Sequence, residues 1–148
     1  MSLPDVNDLT RQDTADGIQQ QVVGAVIDHN GQILLLQRPR NGFRGGAWEL
    51  PSGKTEPGED LTTALHREVL EETGLTIKTI TGYLGAFDYI SGSGKRTRQH
   101  TWSVTVTHDN EVRLSEHDAH TWAIPTDPLP VSDEVATMIT QHTHRTNT

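Results

Sequence analysis

Three glutamates lie close together in residues 66–75, HREVLEETGL, at a spacing that is unfavourable for an isolated helix. Glu68, Glu71 and Glu72 are three and four residues apart, with no Lys or Arg expected to neutralise them. Each like-charge pair costs about 0.2–0.5 kcal/mol on an exposed helix, and anions in the second half of a helix also oppose its dipole. A divalent cation removes both costs, because carboxylate oxygens are the hard ligands that Mg²⁺ prefers. The pattern therefore favours a metal-binding helix over a solvated charged face.

The helix that carries these carboxylates has recognisable ends. Asp60 is a good N-cap, and Gly74 suits the position just after the last helical residue, Thr73. Apolar residues recur at every fourth position and predict one buried stripe: Leu61, Leu65 and Val69.

Strands are expected on both sides of this helix. Asn30-Gly31 lies between two apolar runs and is a strong hairpin signal, so residues 20–27 and 32–37 are predicted to pair. Further strands are predicted at 47–50, 76–90, 97–107, 111–114 and 121–124, and a closing helix at 131–142 with Ser132 as its cap. Strands, a helix, more strands and a final helix favour an α/β fold with a mixed β-sheet between helices.

Length and composition suit a single globular domain. The chain has 148 residues, of which 32% are apolar and 22% are charged. Residues 1–17 are polar and are expected to form a loosely ordered lead-in, 18–142 the domain itself, and 143–148 a flexible tail.

Composition also narrows the function. The absence of cysteine excludes disulfides, zinc-thiolate sites and thiol catalysis, and fits a reducing cytoplasm. A net charge of −8 argues against binding to a nucleic-acid polymer, and no apolar run is long enough to span a membrane. A cytoplasmic protein with a small-molecule ligand is expected, as a monomer or homodimer. If that ligand is a phosphate, a cation or local arginines must reverse the sign of the charge.

The residues around the three glutamates carry a recognisable signature. Its fixed positions are occupied by Gly53, Glu59, Arg67, Glu68, Glu71, Glu72 and Gly74, and its two apolar positions by Val69 and Leu75. The preceding stretch WELPSGKTEPGE is similar to that of MutT-like proteins. Over about residues 20–142 the chain resembles the Nudix hydrolases. That resemblance implies an α/β/α sandwich fold. It also implies an enzyme that uses Mg²⁺ or Mn²⁺ to hydrolyse a pyrophosphate bond, a phosphorus-containing acid anhydride, in nucleoside diphosphate-linked compounds.

The resemblance also implies a role for individual residues. Glu68, Glu71 and Glu72 would hold the metal together with the backbone carbonyl of Gly53 or of its neighbour Ser52. Arg67 would hold Glu68 by an ion pair, and Glu59 would be structural or an outer ligand. Glu68 is the first candidate for the general base. Glu116 is the second, because MutT-like enzymes carry an additional carboxylate in the corresponding loop, although an ordinary loop glutamate is an equal alternative.

Candidates for substrate binding are arginines and aromatic residues near the expected mouth of the site. Arg38 and Arg44 suit phosphate geometry, with surface pairing as the alternative for either, and Trp48 and Tyr89 are candidates for stacking on a base. His117 and His120 could suggest a second metal site. Without cysteine or a third ligand at a suitable spacing, they are interpreted as solvent-exposed histidines.

The substrate is less sharply indicated. The MutT-like approach to the helix favours a nucleoside triphosphate pyrophosphohydrolase that releases a monophosphate and pyrophosphate. ADP-ribose, nucleotide-sugar and dinucleoside polyphosphate hydrolases are alternatives, as is a nucleotide-sensing module without turnover. MutT-like enzymes that read oxidised guanine use an asparagine near the last helix, and residues 130–134 contain none. An oxidised-purine substrate is therefore disfavoured.

Overall fold

The structure is a computed structural model that describes residues 3–41, 45–107, 111–126 and 131–146. Within these residues the chain forms three helices and seven strands: α1 Val6–Ala15, β1 Gln20–His29, β2 Gln32–Gln37, β3 Trp48–Glu49, β4 Ser52–Lys54, α2 Leu61–Thr73, β5 Ile77–Ile90, β6 Arg96–Val106, β7 Ala119–Ala123 and α3 Asp133–Thr146. None of the described helices is long and apolar enough to cross a membrane.

β1 is the central strand of the sheet. It runs parallel to β6, from Gln20 opposite Thr97 to Ile27 opposite Val104, and β5 adds to the far edge of β6 in the antiparallel direction. The other edge of β1 is divided, because β4 pairs with its first half and β2 with its last residues. β2 also pairs with β3 and β7. This division lets β4 carry residues 52–54 to the middle of the sheet.

Helices cover both faces of the sheet. On one face, α2 packs its apolar stripe against β1 and β6, with α1 beside it: Leu61, Ala64, Leu65 and Val69 of α2 and Val6 and Leu9 of α1. On the other face, α3 contributes Val135, Met138 and Ile139 to a second apolar cluster. The predicted α/β/α sandwich with a mixed sheet is confirmed.

The predicted hairpin and helix ends are confirmed as well. Asn30 and Gly31 have φ of 54° and 82°, the left-handed values that a tight hairpin turn between β1 and β2 requires. The side chain of Asp60 accepts a hydrogen bond from the Thr63 amide at 2.8 Å. Gly74 ends α2 in the left-handed conformation, with φ of 74°.

Three expectations about local structure were wrong. Residues 6–15 of the expected lead-in form α1, whose N-cap Asp5 accepts from the Asn7 amide. Residues 111–114 form no strand; there the Arg113 amide instead donates to the Thr73 carbonyl at the end of α2, at 2.7 Å. α3 continues to Thr146, into the expected tail. The division of the chain at residues 18 and 142 stays a prediction.

Candidate active site

The second half of α2 faces the backbone of β4, and this brings the signature residues together. The Ser52 amide donates to Oε1 of Glu72 at 2.8 Å. A methyl group on Gly53 would lie 2.1 Å from the carboxyl carbon and from Oε2 of Glu68, so the strand passes directly over that carboxylate. Two of the predicted ligand carboxylates therefore lie beside Ser52 and Gly53, the residues predicted to supply a backbone carbonyl.

Arg67 is the centre of the charge network on this face of α2. Its Nε and Nη2 donate to the two carboxylate oxygens of Glu59 at 2.7 and 2.8 Å. Its Nη1 donates to Glu68 at 2.7 Å and to Glu71 at 3.1 Å, and Nη2 also reaches the Lys54 carbonyl at 3.0 Å. The ion pair with Glu68 that the resemblance implied is present. The expectation that no basic residue neutralises the glutamates was wrong.

The three glutamates differ in their electrostatic surroundings. Burial raises the pKa of Glu72 to about 8, although the Ser52 amide opposes that shift. Burial also raises the pKa of Glu68, against the opposing effect of Arg67. Glu71 is largely solvated, with 57% of its side chain exposed. The protonation equilibria of two carboxylates in this site are therefore shifted toward the neutral form. A neighbouring cation would favour the ionised form of both.

The oxygen donors suit a hard divalent cation, but the side chains are engaged elsewhere. Glu68 and Glu71 are turned onto Arg67, and Glu72 onto the Ser52 amide. Across the described ranges, no three His, Asp or Glu side chains surround a common point that could hold a metal. The fit is instead seen in the chemistry of the donors and in Gly53, the residue type that leaves room for the Glu68 carboxylate.

His117 was misjudged from the sequence. Its side chain is only 5% exposed, and its Nε2 lies 2.9 Å from Oε2 of Glu49. This contact is the main reason that the pKa of His117 is raised, and the charges of Glu72 and Glu49 add to the effect. The expectation of a solvated histidine was wrong. A partner 68 residues away leaves no signal in the local pattern.

The remaining residues that were predicted for the site lie in different parts of the structure. Arg38 lies beside the site, where its Nη1 donates to Glu49 at 3.1–3.2 Å, and Trp48 is the neighbour of Glu49 in β3. Glu116 is exposed and makes no hydrogen bond or ion pair within the described part of the chain. Tyr89 is on β5, separated from β4 by β6 and β1. Arg44 lies outside the described residues.

Replacing Glu59 by Gln is expected to lower stability in a way that depends on pH. Arg67 lowers the pKa of Glu59 to about 2, from 4.5 in an unfolded chain. The stabilisation is therefore complete above pH 4.5 and is lost as the pH falls toward 2. The variant should unfold with about 1–2 kcal/mol less free energy at pH 7, and the difference should shrink steadily below pH 4.5. Urea unfolding at several pH values measures this. Glu56→Gln, 66% exposed and 3.9 Å from Arg67, is the matched control.

Comparison with known proteins identifies the family. The NUDIX domain family model matches residues 18–137. The CTP pyrophosphohydrolase of Escherichia coli strain K12 is 38% identical over 109 residues, which cover 74% of this chain and 78% of that protein. The 8-oxo-dGTP diphosphatase of Proteus vulgaris is 38% identical over 58 residues, 39% of this chain and 52% of that protein.

Solved structures agree with the family match. The crystal structure of a MutT Nudix hydrolase from Burkholderia pseudomallei superimposes with a TM-score of 0.71 at 28% identity, covering 82% of this chain and 96% of that one. Nudix hydrolases generally use divalent metal cations and act on small nucleotide substrates. Given the family match over most of its length, this chain belongs to the Nudix family and is a hydrolase of nucleoside diphosphate-linked compounds, with a MutT-like fold.

Proposed function

We propose that the enzyme is a nucleoside triphosphate pyrophosphohydrolase that releases a monophosphate and pyrophosphate, and that CTP is the substrate to test first. The observation that carries this proposal is the extent of the match to the E. coli CTP pyrophosphohydrolase. It spans 109 residues, far more than the signature at residues 53–75. The match to the 8-oxo-dGTP diphosphatase spans only 58 residues, and residues 130–134 lack the asparagine associated with oxidised guanine.

Mg²⁺ is the proposed metal, with Mn²⁺ as a substitute. Glu68, Glu71 and Glu72 and the carbonyl of Gly53 would hold it. When bound, a divalent cation would neutralise charge on the phosphate oxygens and acidify a water molecule. The support for this assignment is the set of oxygen donors and the raised pKa of the buried Glu72 and Glu68, which a cation would reverse.

The other steps fall to the side chains of this chain. Glu68 is the proposed general base, because Arg67 and Gly53 fix its carboxylate on two sides and only 15% of its side chain is exposed. Burial moves its pKa upward, toward the range in which a carboxylate takes a proton more readily. Glu116 remains the second candidate for the base. Arg38 is proposed to contact the phosphates of the substrate, and Trp48 to contact its nucleobase.

A substrate panel tests the proposed function. The protein would be incubated with Mg²⁺ and CTP, dCTP, GTP, 8-oxo-dGTP, ADP-ribose, a nucleotide sugar or a dinucleoside polyphosphate, and pyrophosphate and monophosphate measured. Pyrophosphate release from CTP, faster than turnover of every other compound, is the expected result. If 8-oxo-dGTP or ADP-ribose is hydrolysed faster than CTP, that compound and not CTP is the substrate. Tight binding of a nucleotide without any product would contradict turnover itself.

Replacing Arg67 by Lys is expected to lower kcat by about tenfold, the lower end of the effect of removing an outer-shell partner. Lysine keeps the charge, but a single ammonium group cannot reproduce the planar fork that joins Glu59, Glu68 and the Lys54 carbonyl. The Mg²⁺ concentration for half-maximal rate should rise as well. Steady-state kinetics with Mg²⁺ titration measures both. Arg11→Lys on α1, where the arginine is 70% exposed, is the matched control and should behave like the parent.

A further inference from the structure

Three side chains outside residues 53–75 form a connected chain of hydrogen bonds at the candidate active site. Nε2 of His117 lies 2.9 Å from Oε2 of Glu49. The Glu49 carboxylate in turn accepts from Nη1 of Arg38, at 3.2 Å through Oε1 and 3.1 Å through Oε2. A carboxylate can only accept a hydrogen bond here, so the histidine carries its proton on Nε2 and donates it.

The backbone holds these residues in fixed places. Glu49 is paired with Leu36 across the β2–β3 ladder. The Asp118 amide, next to His117, donates to the Gln37 carbonyl at 3.0 Å on β2, and the Arg38 amide donates to the Ala47 carbonyl at 2.9 Å. The end of β2 therefore lies between the segment that carries His117 and the strand that carries Glu49. Sites supported by strands in this way are held more precisely than sites on loops alone.

Exposure increases along the chain of hydrogen bonds. The exposed fraction of the side chain is 5% for His117, 22% for Glu49 and 34% for Arg38. The innermost atom, Nδ1 of His117, is buried and makes no hydrogen bond with any described residue. A buried polar atom without a partner costs stability. An apolar residue would avoid this cost, so the presence of His117 is better explained by the carboxylate that it holds than by packing.

We propose that His117 is a positioning residue for hydrolysis: it fixes the Glu49 carboxylate, which fixes the Arg38 guanidinium for the substrate phosphates. The inference rests on the proposed function in one respect, the contact between Arg38 and phosphate. The orientation of the planar guanidinium decides whether two of its N–H groups can reach phosphate oxygens together. His117 thus acts on substrate affinity through two other side chains and touches no reacting atom.

Variants at position 117 separate this role from a structural one. Leucine fills the space without a donor, whereas the amide nitrogen of glutamine can stand where Nε2 stands. His117→Leu should raise KM for the hydrolysed nucleotide about tenfold, with kcat within about threefold, and His117→Gln should restore KM to within about threefold of the parent. His120→Leu, an exposed histidine of β7, should leave KM unchanged. A change in kcat alone, or a glutamine variant as impaired as leucine, would overturn the proposal.

A double-mutant cycle tests the route through Arg38. Arg38→Ala should raise KM by itself, and adding His117→Leu should then change KM less than twofold, because the residue being positioned is gone. Additive effects of the two substitutions would show that His117 acts independently of Arg38, contrary to the proposal.

A measurement without substrate separates this inference from the proposed function. In the proton–nitrogen NMR spectrum of the histidine rings, Nε2–H of His117 should be visible and protected from exchange, and Glu49→Leu should abolish that protection. A rapidly exchanging Nε2 proton, or a ring that carries its proton on Nδ1 alone, would overturn the hydrogen-bonded chain. If no nucleotide in the panel is hydrolysed, the proposed function fails, whereas the NMR result still decides whether His117 holds Glu49.

Discussion

Replacing Glu72 by Gln is expected to lower kcat/KM by about 10²–10³-fold and to leave the fold intact. The loss is of the size seen when a group that stabilises transition-state charge is removed, because the variant deletes the most buried of the three candidate ligand charges. Glutamine has nearly the same shape as glutamate. Its side-chain oxygen can still accept the hydrogen bond from the Ser52 amide, which in the parent reaches Glu72 at 2.8 Å. The chemistry and the packing at this position are therefore separable.

Thermal unfolding with and without Mg²⁺ provides the second measurement on Glu72→Gln. A ligand that binds only the folded state raises its melting temperature, so the parent should be stabilised by Mg²⁺ and the variant should not. Without Mg²⁺, the variant should melt at or above the temperature of the parent, because burial disfavours the ionised carboxylate. Glu111→Gln, an exposed glutamate, serves as the charge-matched control. Full activity in Glu72→Gln would remove the metal assignment.

Sequence patterns correctly predicted those features of the fold that depend on residues close together in the sequence. The ends of α2 follow from Asp60 and Gly74, and its buried stripe from a four-residue repeat. The β1–β2 hairpin follows from Asn30-Gly31, whose backbone conformation few other residue pairs adopt easily. In each case the residues that determine the structure are within a few positions of it, so the pattern carries the information.

Features that depend on distant partners could not be predicted. α1 is mostly polar; besides the packing of Val6 and Leu9, it is held by Asp13, which is 3% exposed and bonded to the ring of His100 at 2.7 Å and to Arg98 at 3.0 Å. Those partners follow more than 80 positions later. A buried aspartate looks like a solvated one until its partners are known, because its burial depends on their hydrogen bonds. The same reasoning applies to His117 and Glu49.

Arg67 lies between these two cases. Its partner Glu71 is one helical turn away and was within reach of a local rule, yet its shortest contacts are to Glu59 and Glu68. Glu59 precedes the helix, and the Lys54 carbonyl belongs to β4. The resemblance supplied the pair with Glu68, but only the structure shows one guanidinium joining the helix, the loop before it and the strand. The roles of these residues in catalysis stay predictions.

Replacing Gly53 by Ala should lower kcat/KM by about 100-fold, the effect expected when a catalytic group is displaced by about 1 Å. The new methyl group would lie 2.1 Å from the carboxyl carbon of Glu68, so that carboxylate has to move. The cost in stability should be small, about 1 kcal/mol or less, for two reasons. The backbone of Gly53 is not in the left-handed region that favours glycine, and the atoms that clash are in the carboxyl group at the far end of the Glu68 side chain rather than in the backbone.

The cause of that loss is tested by removing the Glu68 side chain. In a Glu68→Ala background the methyl group of Gly53→Ala meets no carboxylate, so it should add less than a twofold further loss, whereas independent effects would multiply. Urea unfolding of both single variants shows whether the fold is retained. A Gly53→Ala protein that keeps its activity would mean that the position of the Glu68 carboxylate is not what sets the rate. A large loss of stability would instead place the role of Gly53 in the packing of β4 against α2, since both elements meet at this residue.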